Sequence, residues 1–378
     1  MKNILLVSHY TGTPGGPVDK FYEFLKRENI VFSIRHPLWL NSSLPSIIKG
    51  GQKETAFRIY SPIQYPLEGL VTVFFWYRFF GRSKKIDLAI CFDSLSFIHI
   101  FMLKFLFHVN KIVFYNIDYS RKRFSNRAMN FIYQKINLFS YKRCDYFFSL
   151  YDTFIKETDP EGICAYKNYL VKTTVNTDSI NTLLKKYKNS LIYAGVLDYG
   201  SVDFDPLLAA LKRLKEDGTE FRFDIYGKEG QKGKLREAIA RFHLEEFVSL
   251  KGVVENKILI EGILSRYKVG VCPYVTRRDS FAPDHVFLGS DLTAKLVDYI
   301  AAGLPIVTTS INDAFNMIEE NKFGFLVRTP EDWYIAIKKL FINQTLYTVY
   351  RDNALKFAKN YDEKKVLDPI FKKILKSY

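Results

Sequence analysis

Near the start of the chain, Thr11-Gly12-Thr13-Pro14-Gly15-Gly16-Pro17 separates an apolar run from a helix-spaced set of apolar residues. Backbone N–H groups left bare by glycine, beside the N-terminus of a following helix, suit the close approach of an anionic group. A tight strand-to-helix turn with no ligand would use the same residues. His9 stands just before that turn, and a histidine satisfied by its neighbours at a strand end is the alternative to a reactive one. Further along, Asp203 and Asp205 have the D-x-D spacing of a metal-binding pair. They precede Pro206 at a helix start, however, where capping is the expected work. Cys91, Cys144, Cys164 and Cys272 have neither CxxC nor metal-like spacing, and read as buried thiols of a reduced, cytoplasmic protein.

The elements that must position these residues alternate along the chain. With 378 residues, 48% of them hydrophobic, two domains with separate cores are expected. Short apolar runs at 4–8, 31–35, 88–92, 111–116 and 146–150 predict buried parallel strands. Helical spacing lies between them at 18–27, 67–80, 94–107 and 125–141. The alternation lapses over the polar stretch 171–190 and then resumes. Strands are predicted at 191–194, 222–226, 248–251, 269–273 and 306–309, and helices near 206–216, 233–242, 256–266, 293–302 and 313–320. The fold class is therefore α/β, with two Rossmann-like doubly wound parallel-sheet domains. The boundaries are 1–172 and 173–360, with a basic helix at 361–378 packing back on the first domain. Hydride transfer is disfavoured, because Gly12, Gly15 and Gly16 do not fit G-x-G-x-x-G and the second strand ends in Ile34-Arg35-His36 rather than an acid. The first strand starts at once, so no signal peptide is expected.

The stretch DLTAKLVDYIAAGLPIVTTS, 291–310, resembles the donor-binding signature of GT-B nucleotide-sugar glycosyltransferases, in particular the large family 4 group. That signature is a helix carrying (P/T)-x-K-L-x-E-Y-x-A-x-G before a strand P-V-V. LIYAGVLDYG, FRFDIYGKEGQKGKL and VSLKGVVENKILIEGILSRYKVGVCPY resemble successive donor-domain blocks in the right order. Gly15-Gly16 resembles the family's early Gly-Gly loop, and VNTD at 175–178 lies where its hinge does. The resemblance is strong over 190–327 and mostly topological over 1–170. It implies two domains facing across a cleft, the first binding acceptor and the second a nucleotide diphosphate-sugar donor.

Site roles follow from the same resemblance. Asp298 falls at the ribose-binding carboxylate, one carbon shorter than the usual Glu, and Lys295, three residues earlier on that helix face, would reach the phosphates. A surface ion pair between these two is the structural alternative. Gly227 lies in the donor-domain glycine turn, and Val253 and Val254 would offer backbone contacts to the base. Gly15 and Gly16 would meet the leaving phosphate or the transferred sugar. The family's first acid is missing or displaced, since Ser290 stands eight residues before Asp298. The loop after 191–194 also lacks the usual Arg and Lys, which makes Lys228, Arg277 and Arg278 the candidate substitutes. At the end of 111–116, Asp118 and then Asn116 are the candidates to contact the reacting sugar, with His9 a further one. Asp118 would act as a base toward an acceptor hydroxyl in an inverting enzyme, or hold the sugar in a retaining one.

The formal net charge of +15 invites a polyanion, and basic residues concentrate over 118–143. No nucleic-acid-binding pattern accompanies them, so a nucleic acid is not expected. Anionic lipid suits the aromatic stretches 70–81 and 95–108 better, with membrane-interface helices as the alternative to buried ones. The expectation is a cytoplasmic glycosyltransferase, peripheral on the inner face of the plasma membrane. It would move a sugar onto a lipid-linked or saccharide acceptor in surface polysaccharide synthesis, with retention and without cofactor or metal. The alternatives are a non-catalytic nucleotide-sugar-binding partner of another transferase, and an epimerase or phosphorylase on the same fold.

Overall fold

The computed structural model describes residues 1–10, 16–38, 44–57, 64–79, 85–117, 120, 123–124, 126–150, 152–197, 200–228, 233–276 and 291–376. The chain forms two compact units, one of residues 1–172 with 369–378 and the other of residues 173–368.

In the first unit β1 (Asn3–Tyr10), β2 (Ile30–Pro37), β5 (Ile86–Cys91), β6 (Val109–Asn116), β7 (Tyr146–Ser149) and β8 (Asn168–Leu170) are parallel, in the order β2-β1-β5-β6-β7-β8. Apart from the short edge strand β8, their apolar runs are largely buried, as strands covered by crossover helices must be; Ile4 to Val7 are fully enclosed. An antiparallel hairpin of β3 (Ser46–Lys49) and β4 (Gln52–Thr55) extends the edge beyond β2. It turns through Gly50 and Gly51, both at positive φ, as a two-residue hairpin turn requires. The connections carry α1 (Pro17–Leu25), α2 (Gln64–Phe79), α3 (Ser94–Leu103), α4 (Arg127–Arg143) and the short α5 (Asp152–Thr158).

The aromatic stretches divide between core and surface. Phe75 and Trp76 of α2 are buried, with Trp76 stacked on Phe107 at 4.0 Å, whereas Leu70, Phe74 and Tyr77 are exposed. No described helix is long and apolar enough to cross a membrane.

The second unit has a single parallel sheet in the order β11-β10-β9-β12-β13-β14. Its strands are β9 (Ser190–Ala194), β10 (Arg222–Tyr226), β11 (Val248–Gly252), β12 (Val269–Cys272), β13 (Ile306–Thr308) and β14 (Gly324–Leu326). Helices α6 (Asp205–Glu216), α7 (Lys234–Arg241), α8 (Ala294–Ala301), α9 (Pro330–Ile342) and α10 (Gln344–Ala358) surround it. A last helix, α11 (Glu363–Lys376), ends the described chain. The strand order reverses between β9 and β12. These two pair only through Leu191 with Val269 and Ile192 with Gly270, and then diverge toward their C-terminal ends. Ligands of open α/β sheets bind in such a crevice.

Candidate functional site

In the second unit the site is built where β9 and β12 part. Gly195 follows β9 directly, and its N–H donates to the Tyr226 carbonyl at 2.9 Å. Gly227 follows β10, adopts φ 156°, and donates to the Gly252 carbonyl at 2.8 Å. A Cβ on Gly227 would lie 1.9 Å from the Gly195 carbonyl oxygen, so only glycine lets the two strand ends meet.

The Lys295 side chain lies on this seam. A Cβ on Gly195 would be 2.5 Å from its Cε and 2.7 Å from its Nζ, so the ammonium rests on bare backbone. Lys295 Nζ donates to the Tyr193 hydroxyl at 2.8 Å and lies 4.1 Å and 5.1 Å from the ring centroids of Tyr193 and Tyr274. Tyr193 in turn donates to the Val196 carbonyl. These partners are neutral, so a cation is held by aromatic faces and a hydroxyl beside a glycine turn. One turn further along α8, Tyr299 accepts from the Ala194 N–H at 2.7 Å and fixes the helix to β9. Asp298 is half-buried on the same helix.

The mouth of the crevice is bridged from both strands. Val202 pairs with Tyr274 in an isolated antiparallel bridge, and the Tyr274 hydroxyl is 2.7 Å from that of Thr293. Asp203 Oδ1 accepts from the Asp205 N–H at 3.1 Å, and Asp205 pairs with Arg241 at 2.5 Å. This is helix-start work for the D-x-D pair.

In the first unit the corresponding reversal lies between β1 and β5, and His9 stands there. Its Nδ1 is 2.8 Å from Asp93 Oδ1, its Nε2 is 2.8 Å from Glu68 Oε2, and its backbone N–H donates to Asp93 Oδ2 at 2.8 Å. Burial alone would lower its pKa, but Asp93 and Glu68 outweigh that and push it up to about 10. The His36 and His99 rings lie 5.7 and 6.1 Å away. Burial and the charge on His9 hold both below the usual histidine range.

Of the other residues named from the sequence, Gly15, Asp118, Arg277 and Arg278 lie outside the described residues. Gly16 caps α1, its carbonyl accepting from Asp19 and Lys20. Asn116 is buried at the end of β6, with Nδ2 3.5 Å from Asn137 Oδ1. Lys228 has an exposed side chain, and its carbonyl accepts from Leu197 at 3.2 Å. Val253 is exposed and Val254 half-buried beyond β11.

Tyr193, Tyr274, Glu68 and Asp93 are not among the residues the sequence singles out. Asp93 had a local signal, since Asp93-Ser94-Leu95-Ser96 reads as a helix cap. The others are brought in only by the fold.

Residues 188–343 match the family model of glycosyl transferases group 1. The GtfA subunit of the UDP-N-acetylglucosamine–peptide N-acetylglucosaminyltransferase of Streptococcus pneumoniae serotype 4 is 29% identical over 224 residues, which are 56% of this chain and 41% of that protein. The chain thus spans under half the length of this curated relative. Sucrose-phosphate synthase from Thermosynechococcus elongatus superimposes with a TM-score of 0.70 at 10% identity, over 100% of both chains. The pneumococcal O-GlcNAc transferase GtfA, solved in complex with UDP and GlcNAc, does so with a TM-score of 0.56 at 18% identity, over 89% of this chain and 63% of that one. At these identities the likeness establishes the GT-B fold.

The two glycines of the seam separate by substitution. Gly227→Ala drives a Cβ into backbone at a φ that side chains rarely adopt, and should cost about 2 kcal/mol or more. An unchanged denaturant midpoint for this variant would contradict the close approach of the strand ends.

Proposed function

We propose that this chain, a GT-B protein whose residues 188–343 match the family model of group 1 glycosyl transferases, moves a sugar from a nucleoside diphosphate donor to a saccharide or lipid-linked acceptor. The observation that carries the reading is the Lys295 ammonium, laid on Gly195 among neutral partners where β9 and β12 diverge. An ammonium there suits a diphosphate. As the bond from the sugar's anomeric carbon to the diphosphate oxygen breaks, negative charge grows on the leaving phosphate. A preorganised cation stabilises that charge. The acceptor oxygen bonds the same carbon, and its proton passes to a base or to the departing phosphate.

In this reading Asp298 holds the ribose hydroxyls, Val253 and Val254 border the base, and no metal is required. Lys228, Arg277 and Arg278 are further candidates for the phosphates, and Gly15 and Gly16 for the transferred group. Asp118 is the candidate base or sugar-holding residue, and Asn116 the second candidate. Family resemblance favours retention. UDP is the first nucleotide to try, since the pneumococcal neighbour was solved with it.

Calorimetry in EDTA with UDP, GDP and ADP should detect binding of one of them. Lys295→Met and Asp298→Ala should each lose about 1–3 kcal/mol, the scale of a hydrogen bond to a charged group. In Gly195→Ala the most obstructed atoms are the far end of the Lys295 side chain rather than backbone, so stability should stay within about 1 kcal/mol while affinity falls as the ammonium is displaced. Binding abolished by EDTA, or undiminished in Lys295→Met, would contradict the reading.

The acceptor side is proposed to be membrane-proximal. Met102 on α3, Phe105 and Leu106 just after it, and Met129, Phe131 and Ile132 on α4 are exposed, and Phe101 and Phe139 meet edge-on at 5.5 Å between the two helices. Exposed Arg127, Lys135, Lys142 and Arg143 lie on the same α4. Aromatic and aliphatic groups beside basic ones suit an anionic bilayer, where each Lys or Arg near the surface contributes about 1 kcal/mol. Flotation should recover the protein with anionic vesicles at low salt and lose it at high salt. Equal recovery on neutral vesicles would contradict this account.

A further inference from the structure

We infer that His9 is a permanently charged positioning residue, an imidazolium clamped between Asp93 and Glu68 that locks the end of β1 to α2 and to the start of α3. Every contact of this clamp lies in the first unit, and none involves a residue of the candidate donor site.

The geometry leaves His9 no free lone pair. Each ring nitrogen is 2.8 Å from a carboxylate oxygen, and an ionised carboxylate only accepts. Both nitrogens must then carry protons, which makes the ring a cation rather than a base. Asp93 is saturated in the same way. Its Oδ1 takes the ring N–H and the Ser96 N–H, and its Oδ2 takes the His9 backbone N–H and the Ser96 hydroxyl at 2.7 Å. It is therefore the N-cap of α3 and the tether of β1 in one group. Glu68 passes the chain of bonds on, since its Oε1 accepts from Gln64, whose amide also donates to the Pro37 carbonyl at the end of β2.

The surrounding groups are arranged for one charge. His99 Nε2 faces the Tyr65 carbonyl at 2.7 Å, and a carbonyl only accepts, so His99 carries its proton on Nε2. Its Nδ1 and the Nδ1 of His36 are buried with no hydrogen-bond partner among the described residues. His36 Nε2 is 3.0 Å from the Thr72 hydroxyl. A second imidazolium in this enclosure would repel the first, and the neutral pair fills space around it. Among the described residues the groups facing His9 are His36 from β2, Tyr65 and Glu68 from α2, and Asp93, Ser96 and His99 at α3, with the Cys91 thiol beyond Asp93. What the clamp positions is the end of β1, held against α2 and the start of α3.

The linkage has a definite sign. A histidine raised from 6.5 to about 10 contributes stability that is complete below pH 6.5 and is lost progressively as pH rises toward 10. His36 and His99, held low, contribute stability that is present above pH 6.5 and lost as pH falls below it.

The test is long-range proton–nitrogen NMR of the full chain with labelled histidine, from pH 6 to 9, with the His9 signals assigned by their loss in His9→Gln. Both His9 ring nitrogens should stay protonated throughout, while His36 and His99 stay neutral. Glu68→Gln should bring the His9 midpoint down by about one to three pH units. If His9→Gln does not fold, Glu68→Gln provides the assignment through that shift. A His9 ring that titrates between pH 6 and 7.5, or that keeps one bare nitrogen at pH 8, would overturn the inference and restore His9 as a candidate to contact the reacting sugar.

Discussion

A lysine lying on glycine backbone is the contact on which the site in the second unit depends. Lys295 can occupy the divergence of β9 and β12 only because residue 195 has no side chain, and residue 195 can sit there only because residue 227 has none either. Tyr299 then ties α8 to β9, one helical turn beyond the lysine. The strand order, the two glycines and the inner face of α8 thus converge on one ammonium. Buried cations are costly unless something negative or π-rich offsets the lost hydration. Here two tyrosine rings and a hydroxyl do part of that, and the remaining charge is what suits the site to an anion.

The first unit treats its strand reversal differently. There the buried cation is a histidine, and its charge is answered within the fold by Asp93 and Glu68. The contrast is chemical. A cation with two carboxylates is a fastening, whereas a cation among neutral partners is a binding position. The same contrast explains why resemblance to a catalytic pattern cannot assign a strand-end histidine. Its role follows from what its two nitrogens touch.

Much of the fold was legible in the sequence because a buried parallel strand must be a short apolar run. Ile4–Val7, Leu191–Ala194 and Val269–Cys272 have little else they can become. The hairpin of β3 and β4 is not legible there, because all four residues of β4, Gln52 to Thr55, are exposed and carry no apolar alternation. Gly50-Gly51 was its only signal. Helix α9 is likewise absent from the expected elements, although Thr329 and Asp332 form a reciprocal capping box at its start. The site was legible in parts. Lys295 and Asp298 stand out by the resemblance of 291–310 to a donor-binding signature, but the contact of Lys295 with Gly195 requires the sheet. Glu68 and Asp93 lie 59 and 84 residues from His9, and no local rule links them. Tertiary structure alone brings such partners together.

The central claim is that Lys295 receives the phosphates of a nucleotide at the parting of β9 and β12. A structure of the full chain with UDP bound tests it directly. The account predicts a diphosphate oxygen within hydrogen-bond distance of Lys295 Nζ and the ribose beside Asp298. A nucleotide seated away from the ends of these two strands, with Lys295 still on the tyrosine hydroxyl and untouched by phosphate, would contradict it.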